Sequence, residues 1–195
     1  MPNADLIKLM TEKMQAASAK VVEVKDLGAA YDYAIGVCES KEPYKPQAEE
    51  SRPAGSSKVF MAPGLDAKER KDLEKKLKGK DITLLNEGMR EHLGGIDVAL
   101  TLGQYGIAAT GTCVLESSSE ELRLATMIAE VHVMVIKKST VVAKSQDIAD
   151  ILTQWQQETR FVAFISGASR TADIERVLAI GVHGPLEFHL VLVED

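Results

Sequence analysis

The chain has 195 residues, 45% of them hydrophobic and 27% charged, which is the profile of a folded domain large enough to bury a core without disulfide or metal. Its net charge of −6 argues against a nucleic-acid surface, because the lysines of 68–80 alternate with Asp66, Glu69, Asp72, Glu74 and Asp81. Cys38 and Cys113 lie far apart in apolar runs with no Cys-x-x-Cys spacing, so no metal or cofactor held by this chain alone is expected.

Along the chain, Leu6, Met10, Met14 and Ala17 form one stripe of an amphipathic helix over 5–20. Residues 21–24 read as a short strand and 27–37 as a second helix-leaning stretch. Residues 39–57 hold three of the six prolines and almost nothing apolar, the composition of a linker. This divides the sequence into an N-terminal helical segment with its linker, 1–57, and a domain over 58–195. A strand at 58–63 precedes a helix opened by Asp66 and Glu69 in capping-box spacing and ended by Gly79. Strands follow at 81–86, 97–102, 111–116 and 131–137, with a serine-capped helix before the last. A brief strand at 140–143, a helix over 146–158, a strand at 161–165, a helix over 171–179 and a strand at 188–193 complete the chain.

Continuously apolar strands separated by helices signal a sheet covered on both faces, hence a three-layer α/β/α fold with a largely parallel sheet. In such folds ligands sit beyond the carboxyl ends of the strands, which directs attention to loops 103–110, 116–120 and 166–172. The familiar templates fail there. Residues 103–111 do not fit Gly-x-Gly-x-x-Gly, 167–171 lack the Gly-Lys of a P-loop, and no His-Glu-x-x-His occurs. The N-terminal residues lack a secretory signal and no apolar run approaches the ~20 residues of a membrane span, so a cytoplasmic protein without membrane contact is expected.

Two loops carry donors. Ser166, Gly167, Ser169, Arg170 and Thr171 stand where a strand would feed a helix N-terminus, and backbone N–H groups, hydroxyls and a guanidinium there suit an anion. The plainer alternative is a helix cap, with Arg170 paired to Asp173 or Glu175. Thr110, Gly111 and Thr112 could wrap a ligand or form a tight turn between strands. His132 lies within a valine-rich strand, where a hydrogen-bonded core histidine competes with a functional one. His183, flanked by glycine in a turn, would join these loops if that turn reaches the same edge.

The runs TGTCVLE (110–116), VHVMVI (131–136) and ISGASRTADIERVLAIGVHGPLEFHLVLVE (165–194) resemble the LutC/YkgG family of LUD-domain proteins. The resemblance is strong over 58–195 and general before it. It implies a fold like that of glucosamine-6-phosphate deaminase, ribose-5-phosphate isomerase and CoA transferases, the NagB/RpiA/CoA-transferase-like fold. It also implies an accessory or regulatory role in bacterial L-lactate oxidation beside iron–sulfur partner subunits. The alternative carried by the fold is a small-molecule enzyme or sensor for a phosphorylated or CoA-linked anion at the sheet's carboxyl edge. The family usually reads Glu-Thr-Gly-Thr where this chain has Ala109-Thr110-Gly111-Thr112, leaving Glu116 and Glu130 as possible substitutes for the missing carboxylate. It also usually carries a proline shortly before the strand histidine, where Ala129 to Val131 stand here.

Overall fold

A computed structural model describes residues 3–42, 58–92, 96–158, 160–171, 179–180 and 184–194. Its centre is a six-stranded, wholly parallel sheet in the order β1-β12-β7-β4-β2-β3. The strands are β1 (Lys20–Val24), β2 (Lys58–Met61), β3 (Ile82–Leu85), β4 (Ile96–Leu102), β7 (Ala129–Lys137) and β12 (Glu187–Val193). Runs such as Val131-His132-Val133-Met134-Val135 alternate between two cores, which is why they read as unbroken apolar stretches rather than as an amphipathic alternation. Val131, Val133 and Val135 face one core with Phe60, Leu100 and Cys38. Met134 and Ile136 face the other with Leu190, Leu192 and Cys113.

Helices α2 (Leu27–Ser40) and α3 (Ala67–Leu77) cover the first face. Asp66 caps α3 by accepting the amides of Lys68 and Glu69 at 2.8 Å, while Glu69 accepts the Asp66 amide at 2.9 Å, the capping box expected from the spacing. The other face is covered by α1 (Asn3–Ala16), α4 (Glu120–Ile128) and a second sheet.

That second sheet, in the order β8-β5-β6-β9, was not anticipated. It consists of β5 (Tyr105–Ile107), β6 (Thr112–Glu116), β8 (Val141–Val142) and β9 (Val162–Ile165), and β6 runs antiparallel to both its neighbours. Its inner face, Cys113, Leu115, Ala163 and Ile165, joins the core under α1. Its outer face, Ile107, Val114 and Val162, packs on Ile148 and on Trp155 of α5 (Ala149–Gln157).

The segment set apart from the domain by the composition of 39–57 is part of the same body. β1 is an edge strand of the main sheet, pairing with β12 from Lys20↔His189 to Val24↔Val193, while α1 and α2 cover opposite faces. Residues 43–57 themselves lie outside those described.

Candidate functional site

At the carboxyl edge of the main sheet, β1, β12, β7 and β4 end side by side at Val24, Val193, Lys137 and Leu102. A cavity of about 610 Å3 opens there. Leu102, Val135 and Val193 contribute the strand ends, Asp26 and Leu27 the start of α2, and Glu69 the first turn of α3. Tyr105 of β5 and Ile151 and Trp155 of α5 close it on the side of the second sheet. Position and size both match the crevice where open parallel sheets hold ligands.

The polar groups of this cavity divide into occupied and free. Gln104 is engaged at both ends, since its Oε1 accepts the Glu116 amide at 2.6 Å and its Nε2 donates to the Leu102 carbonyl at 3.2 Å, fixing the β4–β5 turn. Asp26 caps α2 by accepting the Ala29 amide at 2.8 Å, and Glu69 belongs to the capping box. Glu194 is bonded to Lys138, which also reaches Glu23 at 2.7 Å and so ties the ends of β1, β7 and β12 together. Lys137 is different. It is exposed at the cavity and pairs with no described carboxylate. Trp155 and Tyr105 face one another with ring centroids 6.3 Å apart, tilted by 52°.

The two donor-bearing stretches read from the sequence, Thr110–Thr112 and Ser166–Arg170, gather elsewhere, at the amino edge. Thr112 Oγ1 lies 2.8 Å from Thr110 Oγ1 and 2.7 Å from Ser166 Oγ, so the two loops do meet. They meet around the C-terminal end of α1. A Cβ on Gly111 would stand 2.7 Å from Lys13 Cβ and 2.9 Å from the Met14 nitrogen, and one on Gly167 would stand 3.0 Å from the Ala17 carbonyl oxygen. Arg170 donates to that same carbonyl, and Ser169 donates its amide to Pro185 O at 3.1 Å. A helix C-terminus presents carbonyls and the negative end of its dipole, so a guanidinium belongs there and an anion is disfavoured.

The displacement has a topological cause. β4 leaves the carboxyl edge, β5 runs back toward the amino edge, β6 returns and β9 runs back again, so residues after β9 emerge at the amino edge. The helix expected over 171–179 also gives way at both ends: β10 (Arg170–Thr171) pairs antiparallel with β11 (Ala179–Ile180), and residues 172–178 lie outside those described. Arg170 and Thr171 therefore do not form a helix N-terminus, and the side-chain position of Thr171 is not described. His183 also lies outside the described residues.

The close approach at Gly111 has a measurable cost. Gly111 has φ of +59°, and the atoms a Cβ would meet include the α1 backbone. Gly111→Ala should lower stability by roughly 1–3 kcal/mol, read by urea denaturation. An unchanged midpoint would mean that α1 does not seat on this turn.

His132 stands apart from both regions. It is 1% exposed, its Nε2 lies 2.8 Å from Thr101 Oγ1, and its ring meets Phe188 edge-on at 5.2 Å. Burial pushes its pKa down to about 3, so at neutral pH it is an uncharged core group.

A LUD domain family model matches residues 7–193, nearly all of the chain. The chain belongs to the LUD domain family. It is 37% identical over 102 residues to "Lactate utilization protein C" of Shouchella clausii (strain KSM-K16), a match covering 51% of this chain and 44% of that protein. It is 32% identical over 102 residues to "Uncharacterized protein YkgG" of Escherichia coli (strain K12), covering 50% and 44%. These matches place it with the LutC/YkgG group and span less than half the length of those relatives. The crystal structure of a DUF162 family protein from Deinococcus radiodurans superposes with a TM-score of 0.66 at 17% identity, covering 99% of both chains, and supports the mixed α/β fold with its parallel central sheet.

Within this LUD domain, Ala109 is exposed beside Thr110. Neither carboxylate considered as a substitute is free: Glu130 pairs with Lys41 at 2.9 Å, and Glu116 Oε1 accepts the Ser118 amide at 3.1 Å. Loop 103–110 was correctly placed at the carboxyl edge where it leaves β4, and it supplies Gly103, Gln104 and Tyr105 to the cavity. Lys137 and Trp155 went unnoticed. The signal for Lys137 was a charged residue directly closing an apolar strand, and Trp155 was legible only as part of a helix face. His189 has an acidic partner in Glu187, which lies on the same strand face two residues away with its Oε2 2.9 Å from His189 Nε2. Tyr33 OH lies 3.0 Å from His189 Nδ1 and Lys20 bonds Glu187 at 2.6 Å, making a closed set of partners at the amino edge.

Proposed function

We propose that this LUD domain serves bacterial L-lactate oxidation as an accessory component beside iron–sulfur partner subunits, and that it takes a small organic ligand in its carboxyl-edge cavity. The observation that carries the site is the cavity itself, with Lys137 as a cation unpaired among the described residues. The lactate assignment rests on relatives named lactate utilization protein C. A division of labour with cluster-bearing partners is supported by the cysteines: Cys38 and Cys113 are buried in cores on opposite faces of the sheet and cannot ligate one cluster. Burial also holds both thiols protonated, pushing Cys38 up to about 12 and raising Cys113 as well.

Deleting the encoding gene in its host should abolish growth on L-lactate while growth on glucose is unaffected, and an affinity-tagged chain should co-purify with iron–sulfur proteins. Normal growth on L-lactate after deletion would refute the assignment. The alternative, an enzyme or sensor for a phosphorylated or CoA-linked anion, draws support from Lys137 alone. The Ser166–Arg170 turn lends it none, because its guanidinium is engaged with α1.

A further inference from the structure

The carboxyl-edge cavity is much roomier than a three-carbon hydroxy acid requires, and its lining is uneven. Apolar strand ends and the Tyr105–Trp155 pair make most of it. Its three carboxylates are each committed to a donor of the chain: Asp26 to Ala29, Glu69 to Asp66 and Glu194 to Lys138. Among the described residues Lys137 is the cavity cation that pairs with no carboxylate, so its ammonium can take an acid group without first breaking an internal bond. An exposed ammonium beside an apolar wall suits an anion with an apolar body.

We infer that the cavity takes an organic acid bulkier than lactate, with its carboxylate on Lys137 and a planar apolar body against Trp155 and Tyr105. This rests on the reading of the cavity as the ligand site and deepens it by naming the ligand class. Both halves are needed for affinity. The rings exclude water and supply contact area, and the ammonium fixes the orientation of the acid group.

Trp155 is the only tryptophan of the chain, so binding there reports through intrinsic fluorescence. Three probes separate the contributions in the purified full chain: phenyllactate has ring and carboxylate, L-lactate has the acid alone, and benzyl alcohol the ring alone. Phenyllactate should quench Trp155 saturably, with a Kd at least tenfold below those of the other two. Lys137→Gln should weaken phenyllactate about tenfold and leave benzyl alcohol unchanged. Trp155→Phe should abolish the optical signal, and calorimetry should still register weakened binding. Phenyllactate binding no tighter than benzyl alcohol, or indifferent to Lys137→Gln, would overturn the inference. So would the absence of binding by all three probes. If growth on L-lactate still depends on the gene in those cases, the lactate assignment stands and only the ligand class fails. Tight phenyllactate binding in a chain dispensable for lactate growth would sink the assignment instead.

Discussion

Acidification from pH 6.5 toward 3 should cost the folded state about 5 kcal/mol through His132 alone, on the order of 1.4 kcal/mol for each pH unit. The ring is buried against Phe188 and its pKa is pushed down to about 3 by desolvation, whereas in the unfolded chain it returns to the ordinary histidine value of 6.5. Between these two values the unfolded state binds a proton that the folded state does not, so stability falls with falling pH. Above pH 6.5 both states carry the neutral ring and the effect vanishes. Urea denaturation at half-unit intervals should show this slope in the native chain. It should be shallower in His132→Gln, which keeps a polar partner for Thr101 Oγ1. Parallel slopes in the two proteins would mean that another group governs the acid limb.

The second large effect is expected at the amino edge. Asp97 is fully buried at the start of β4, where it accepts the Val59 amide at 2.7 Å and the Lys41 ammonium at 2.9 Å. Lys41 also pairs with Glu130 at 2.9 Å, which joins α2, β4 and β7 through one cation. Burial pulls the Lys41 pKa down, but the hydrogen bonds it donates to Asp97 and Glu130 outweigh this and leave it raised. The resulting stabilisation is therefore complete at neutral pH and lost only as pH climbs past the ordinary lysine range. Lys41→Met should destabilise by about 3–5 kcal/mol, since it takes the Lys41 ammonium away from a buried carboxylate. Combining it with Asp97→Leu should recover much of the loss, because the pair is then removed together. A single substitution costing under about 1 kcal/mol would show that Asp97 is satisfied by its other partners.

How far the sequence could be read depended on what each element is coupled to. The capping box of α3 was legible because its partners lie three residues apart. The parallel strands were legible because both their faces are buried. The second sheet was not, since β6 is as apolar as its parallel counterparts: Thr112 to Leu115 are all buried. Nothing in that composition distinguishes an antiparallel strand between α5 and α1 from one in the central sheet. That ambiguity put the loop after β9 at the carboxyl edge, whereas it lies at the amino edge with Arg170 donating to the Ala17 carbonyl. The cavity was half legible, because Tyr105 follows a strand directly. Trp155 comes from α5, about 50 residues later in the chain, and only tertiary packing brings them together.

The pairing of β1 with β12 also sets the order of events during synthesis. β1 is the earliest strand of this fold to be made and β12 the latest, with Lys20 bonded to Glu187 across 167 positions of sequence. Until β12 arrives, β7 has lost one of its two neighbours and β1 has none in the central sheet. Long-range pairing of this kind is slow to form, and the apolar strand surface it leaves uncovered is open to off-pathway association. The central sheet of this domain therefore closes only after nearly all of it has been translated.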